Sequence, residues 1–370
     1  MRVVVVGSGI AGAAAAYHLA RRGVDVVVVD DARPGVATAA GAGIVSPWAT
    51  ADETRFAFAG ASAGYYPELV AALAEDTDEP TSYSVVGGLV TGRDEGALRE
   101  VHRLVAARAA AHPAAGEASL LEPAPARALF PPLEPGLAAV HVSGGARVDG
   151  RQLRASLLDA ARRRGAELRT GTAMMAVDGV RVDGERLDAD SVVLAAGAWS
   201  AELLDPFGIR LPVAPQRGQI THLEVSADTG RWPVVSPMDS GHYLLAFPGG
   251  RVVAGATRET GSGFDHRVTA AGQLEVLEQA LAVAPGLRDA TLLETRVGFR
   301  PATPDGLPVL GPLPGYPRIV MATGFGPTGL TMAPLAGALV AEVVLGEEPR
   351  LDLTPYLPDR FLPTNGAFVG

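Results

Sequence analysis

The first thirty-one residues, MRVVVVGSGIAGAAAAYHLARRGVDVVVVDD, leave little freedom in what this chain can become. A continuous apolar run, Val3 to Val6, suits a strand buried on both faces of a parallel sheet. It runs into Gly7-Ser8-Gly9-Ile10-Ala11-Gly12, a GxGxxG turn, and then a helix-forming stretch to Arg22 with Gly23 placed to cap it. A second apolar run, Val26 to Val29, ends in Asp30, 23 residues after Gly7. Strand, turn, helix, second strand and acid together make the βαβ opening of a dinucleotide-binding fold. Gly7 makes the tight turn, Gly9 lets backbone approach a pyrophosphate, and Gly12 lets the helix pack close to the sheet. The freed helix N–H groups then hold the phosphates. Asp30 accepts from an adenosine ribose, and Asp30-Asp31 together disfavour a 2′-phosphate. A secretory signal would resemble this stretch superficially, but three glycines interrupt its apolar region. The opening is expected to be the first strand of the fold.

With 370 residues the chain is too long for one ordinary core, and two domains are expected. A net charge of −10 leaves no electrostatic footprint for nucleic acid. There is no cysteine, which excludes disulfides, a thiolate nucleophile and a thioether link to a cofactor. A cytoplasmic location is consistent with that. The most membrane-like stretch, Gly329 to Gly346, contains Thr331, Pro334 and Glu342 and reads as a buried helix rather than an integral membrane segment.

After Asp31 comes a loop of small residues, 32 to 48, that lets backbone approach a flat ligand closely. Helical patterns cover Ala51 to about Ala74 and Arg93 to Ala111, with a strand between them, Ser82 to Val90, broken by Gly87-Gly88. Residues 114 to 135, rich in Ala and Pro, read as irregular. An amphipathic helix follows from Asp149 to Gly165, then short strands with turns at Asp178-Gly179 and Asp183-Gly184. Ser191 to Gly197 returns to the buried parallel pattern. Residues 212 to 294 alternate like antiparallel strands, with one helix near Gln273 to Ala284. The fold expected is α/β plus α+β: a discontinuous Rossmann-like domain (1–50, 147–211, 296–370) interwoven with a substrate domain on a mostly antiparallel sheet (51–146, 212–295).

Two late stretches bear on the ligand. In VGFRPATPDGLP, Arg300 ends an apolar strand before a rigid turn. A buried guanidinium there needs a carboxylate, which is either a ligand's or an internal one such as Asp305. In MATGFGPTGLT, three glycines at a strand-to-helix junction bring helix N–H groups beside a ligand. These stretches, with ATAAGAGIVSP, VVLAAGAWSAELL, PVAPQRGQ and VVAGAT in this order, resemble the flavin-dependent D-amino-acid oxidase superfamily, nearest to glycine oxidase and the bacterial D-amino-acid dehydrogenases. The similarity covers nearly the whole chain and is weakest from Ala51 to Ala146.

The resemblance implies non-covalent FAD. Gly7, Gly9, Ile10, Ala11 and Gly12 would lie on its pyrophosphate, with Asp30 and Asp31 at the ribose. Thr38, Ala39, Gly41, Ala42, Gly43 and Ile44 would wrap pyrophosphate and flavin, and Met174 would touch adenine through its backbone. Ala196, Gly197 and Trp199 would lie by the ribityl chain. Gly324, Phe325, Gly326, Thr328, Gly329, Leu330 and Thr331 would line the pyrimidine end of the flavin. Arg300 matches the arginine that grips the substrate carboxylate and Tyr243 a tyrosine that helps it, with Arg217 in reserve. Trp48 either walls the substrate pocket or fills core. Phe325 stands where many members carry histidine, so no acid–base group is offered there. The reaction implied is hydride transfer from the α-carbon of a small amino acid (a D-amino acid, glycine or an N-alkyl glycine) to the flavin. The electrons then pass to oxygen or another acceptor. Two other readings stay open: oxidation of a carrier-bound or modified amino acid, and an NAD-dependent dehydrogenase. Oligomeric state stays open too.

Overall fold

Val3 to Val6 are fully or almost fully buried, as strands inside a parallel sheet must be. In the computed structural model, which describes residues 1–177 and 179–361, Arg2–Val6 pairs in parallel with Asp25–Asp30 on one side and Ser191–Leu194 on the other. Glu167–Thr170 extends the sheet beyond Asp25–Asp30, and Tyr316–Thr323 extends it beyond Ser191–Leu194. An antiparallel edge strand, Val309–Leu313, completes six. Helices Ile10–Arg21 and Gly329–Val344 pack together on this sheet. Their small residues permit a close approach: a Cβ on Gly337 would lie 2.5 Å from the Ala14 Cβ. The stretch Gly326–Val344 is long and apolar enough to cross a membrane, but most of it is buried inside the protein. Its one acid, Glu342, is buried and paired with Arg350 at 2.7 Å.

The second layer is a nine-stranded sheet, antiparallel except where Val234–Pro237 pairs in parallel with Gly88–Gly92. Its longest members, Ala214–Glu224 and Thr291–Ala302, run side by side. Residues 296–302, expected with the first sheet, therefore belong to the second. Their partners are set by the cross-strand register Ile220↔Arg296 to Ala214↔Ala302, which no local pattern reveals. The strand expected at Ser82 to Val90 is broken where Gly87 takes a φ of +84°. Ser84–Val85 joins a three-stranded sheet while Gly88–Gly92 enters the large one. Residues 114 to 135 are more ordered than their composition suggested, with a strand Ala118–Leu121 and a helix Pro123–Leu129. Pairing with Ala138–Val142 orders the strand, and Pro at the helix start is tolerated because no N–H is needed there. The turn expected at Asp178-Gly179 includes Asp178, which lies outside the described residues, as do residues 362–370.

The helix Glu53–Asp76, capped by the Asp52 carboxylate accepting from Arg55 N at 3.0 Å, packs on Gly329–Val344. Tyr17 of the opening helix donates to Asp76 at 2.9 Å. This helix, expected with the second domain, thus shares its core with the helices of the first sheet. The chain passes between the two sheets several times, and a long cleft opens between them.

Candidate active site

The opening turn is shaped by close contacts that only glycine allows. Gly7 has a φ of +96°, and a Cβ there would lie 2.5 Å from the Ala195 carbonyl oxygen. A Cβ on Gly12 would collide with the Gly7 carbonyl, so Gly12 serves helix packing and does not line the cleft. The helix beginning at Ile10 has no acid in its first turn and no side-chain cap from Gly9. Ile10 N donates to Thr38 Oγ1 at 2.9 Å, while Gly9, Ile10 and Ala11 border the cleft. Apart from Ile10 N, the first-turn N–H groups have no side-chain partner, and such backbone facing open space is what an anionic phosphate requires. Asp30 borders the same space. Its carboxylate accepts from Ser8 N at 2.6 Å and Ser8 Oγ at 2.7 Å on one oxygen, and from Ala32 N at 2.8 Å on the other. Three donors on a carboxylate with about four acceptor directions leave room for a ribose hydroxyl.

The cleft holds about 1570 Å³ of open space, its mouth included, and runs from Asp30 to the nine-stranded sheet. Gly41, Ala42, Gly43 and Ile44 form one wall. Ala196, Gly197 and Trp199 form another. At the far end Phe325, Gly326, Gly329 and Leu330 bring in a second uncapped helix N-terminus, again without an acid in its first turn. Two bare helix starts along one cleft match a dinucleotide whose pyrophosphate and flavin pyrimidine are both electron-rich. A nicotinamide dehydrogenase has no use for the second. The residues present fit FAD.

Several expected residues lie elsewhere. Trp48 is 1% exposed, away from the cleft; its Nε1 donates to Gly144 O at 3.2 Å and its ring meets Phe56 edge-on. It fills core, because strand Ile44–Val45 carries the chain away from the cleft before Trp48 is reached. The Met174 side chain is 49% exposed, and the cleft there is bordered by Gly171 and Ala173 instead. Ala39, Gly324, Thr328 and Thr331 support the lining without joining it. Thr331 Oγ1, for instance, donates to Ile44 O at 2.8 Å.

The other end of the cleft carries side chains from two strands of the nine-stranded sheet, Thr291–Ala302 and Tyr243–Phe247, and from the segment after Arg251–Gly255. Arg300 stands on Thr291–Ala302, and the adjacent strand makes room for it. A Cβ on Gly218 would lie 2.5–2.7 Å from the guanidinium. Asp305, the internal acid that could have paired with Arg300, is bound instead to Arg360 at 2.8 Å. Among the described residues Arg300 has no carboxylate partner, and its Nη1 donates to Thr257 O at 2.9 Å. Burial draws the guanidinium below the usual arginine range, with the adjacent Tyr243 opposing and Arg258 adding to the effect. It remains a cation. Tyr243 sits opposite Gly255, where a Cβ would come within 2.8 Å of its hydroxyl oxygen. Burial raises its pKa, so the phenol stays protonated and can donate. Arg217 is not available as a substitute grip, since Glu259 and Asp265 hold it at 2.5 and 3.1 Å.

Two charged residues along the cleft went unnoticed in the sequence. Arg33 borders it while paired with Asp31 at 2.5 Å, which offsets the charge of the acid next to Asp30. Arg258 borders the opposite end. Its position one residue past the VVAGAT stretch was the signal available, because alternation after Thr257 turns it away from the Thr257–Glu259 network.

A family model described as FAD dependent oxidoreductase (DAO) matches residues 2–343. An uncharacterised oxidoreductase of Bacillus subtilis strain 168, YurR, is 46% identical over 96% of this chain and 98% of its own length. The glycine oxidase of Pseudomonas aeruginosa is 35% identical over 96% and 98%. Among solved structures, iminodiacetate oxidase from Chelativorans sp. BNC1 superposes with a TM-score of 0.91 at 46% identity, covering 96% of this chain and 99% of that one. With both helix starts, the cleft-lining Asp30 and the family match in agreement, the chain belongs to the DAO family of FAD-dependent oxidoreductases, acting on amino acids or amines with FAD as its cofactor.

Proposed function

We propose that this enzyme oxidises the C–N bond of a small amino acid (glycine, an N-alkyl glycine or a D-amino acid) to an imine, which water hydrolyses. The observation that carries this reading is Arg300, a cation at the cleft end without an acid partner among the described residues and beside a protonated tyrosine. A guanidinium fork and a phenol donor together suit a carboxylate. The relatives named for glycine and iminodiacetate oxidation act on molecules that carry an α-carboxylate beside an amine.

FAD, when bound, supplies the acceptor for the hydride. The chain's part is positioning: Arg300 and Tyr243 fix the carboxylate and thereby the α-carbon, while Trp199, Phe299 and Phe325 narrow the cleft and exclude water. Among the described residues no carboxylate or imidazole borders that end of the cleft; the two acids in its lining, Asp30 and Asp31, belong to the end of the second strand of the first sheet. The substrate amine therefore has to arrive without its proton. The two electrons taken from the substrate would then pass to oxygen or another acceptor, which is reduced.

The experiment is anaerobic bleaching of the enzyme's flavin by a panel of amino acids, followed across pH. The bleaching efficiency kcat/KM should rise with pH and level off at each substrate's own amine pKa. A break that stays at one pH for every substrate would assign the proton to a protein base. A panel without any bleaching would overturn the reading itself.

A further inference from the structure

The cleft's substrate end carries a second cation that gripping one carboxylate does not use. Arg258 follows strand Arg251–Gly255, at the point where Thr257 and Glu259 turn to the other side. Thr257 Oγ1 donates to Glu259 Oε1 at 2.8 Å and accepts from Gln219 N at 3.0 Å; Glu259 in turn binds Arg217. Apart from Arg300, the arginines nearby are paired: Arg217 with Glu259 and Asp265, Arg267 with Asp265, and Arg296 with Glu294. Arg258 has no carboxylate partner among the described residues. Its Nη1 donates to the Gly241 carbonyl at 2.8 Å, and a Cβ on Gly241 would lie 2.1 Å from that nitrogen. The guanidinium thus rests against bare backbone, exposed at the cleft, with most of its five N–H donors free.

We propose that Arg258 binds a second carboxylate of the substrate, so that the enzyme prefers amino acids carrying two carboxylates, one held by Arg300 and one by Arg258. This rests on the amine-oxidation reading above. Two cations without acids at one end of a cleft repel each other, and Tyr243 between strands feels both. A monocarboxylate leaves one of the charges unmatched, whereas a dicarboxylate matches both. Because Arg258 is exposed, its contribution is moderate and falls as salt rises. The second carboxylate can hang from the nitrogen or from the α-carbon side chain; the pocket chemistry is the same for both.

Substrate pairs that differ only in that carboxylate test the assignment: iminodiacetate against sarcosine for the nitrogen-linked arm, D-aspartate against D-alanine for the carbon-linked arm. Wild-type holoenzyme should favour the dicarboxylate of at least one pair by about ten-fold in kcat/KM at low salt. Arg258→Gln should erase that preference by raising KM for the dicarboxylate of a pair far more than for its monocarboxylate partner; Arg258→Lys should restore part of it. Binding gives a readout apart from turnover. Diglycolate, which has an ether in place of the amine, should perturb the flavin spectrum at about ten-fold lower concentration than methoxyacetate in the wild type, and at similar concentration in Arg258→Gln. If monocarboxylates bleach the flavin and Arg258→Gln treats both members of each pair as wild type does, the role of Arg258 is overturned and amine oxidation stands. If no member of either pair bleaches it, both fall together.

Discussion

The two ends of the cleft are built from different materials. The end that fits adenosine and pyrophosphate is backbone: glycine turns, a helix start with no side-chain cap from Gly9 and one carboxylate already held by three internal donors. The end proposed for substrate is side chain: Arg300 and Tyr243 on separate strands of the nine-stranded sheet, and Arg258 in the segment between strands Arg251–Gly255 and Glu259–Thr260. A backbone cradle tolerates any side chain that stays out of the way, and so it serves one ligand across many activities. A side-chain site changes its ligand with a single substitution. The difference separates cofactor binding from substrate choice, and each end can be broken without the other.

The largest separation is expected for Arg300→Met. Losing the partner of a buried carboxylate costs about 2–5 kcal/mol, so kcat/KM for an amino acid should drop by roughly thirty-fold to several thousand-fold. FAD content and spectrum should be preserved, and an amine without a carboxylate should lose little. Loss of flavin in this variant would instead make Arg300 part of the scaffold joining the two ends.

Asp30→Ala makes the converse cut. FAD affinity should weaken by about 1–3 kcal/mol, the usual cost of removing a charge-assisted acceptor. The substrate KM at saturating FAD should hardly move. With no cysteine to tether it, FAD stripped by acid can be titrated back to measure this. An unchanged dissociation constant would remove Asp30 from the ribose site.

A smaller effect concerns the sheet under the substrate end. His222 lies on Ala214–Glu224, the strand that also provides Gly218 beneath Arg300, and both ring nitrogens are buried without partners. Burial, with Arg296 and Arg251 nearby, lowers its pKa to about 4. The folded imidazole is neutral, while the unfolded one takes up a proton below its ordinary value of 6.5. Its contribution is therefore complete above that pH and is lost as pH falls toward 4. His222→Leu should flatten the fall in thermal midpoint over this range by an amount equivalent to about 1–2 kcal/mol, allowing for solvent screening. Parallel curves for the variant and wild type would show that other groups set the acid limit.

The opening βαβ unit, the buried strand Ser191–Leu194 and the glycine-rich helix entries were legible residue by residue, because each depends on local periodicity and on where a Cβ cannot fit. Arg300 stood out for a similar reason, as a charge at the end of an apolar run. What could not be read depends on pairing between distant segments. Whether Asp305 met Arg300 or Arg360 was decided by the turn that brings residue 360 alongside. Whether Trp48 reached the cleft was decided by strand Ile44–Val45 pairing with Ala146–Arg147. Arg258 is one of many arginines in the sequence; it becomes distinctive only when the fold gives Glu259 and Asp265 to Arg217 and leaves Arg258 on the Gly241 carbonyl. Local sterics act within a few residues and leave their mark in sequence order. Ion pairing is a competition settled across the whole fold, and its losers are visible only once the winners have been placed.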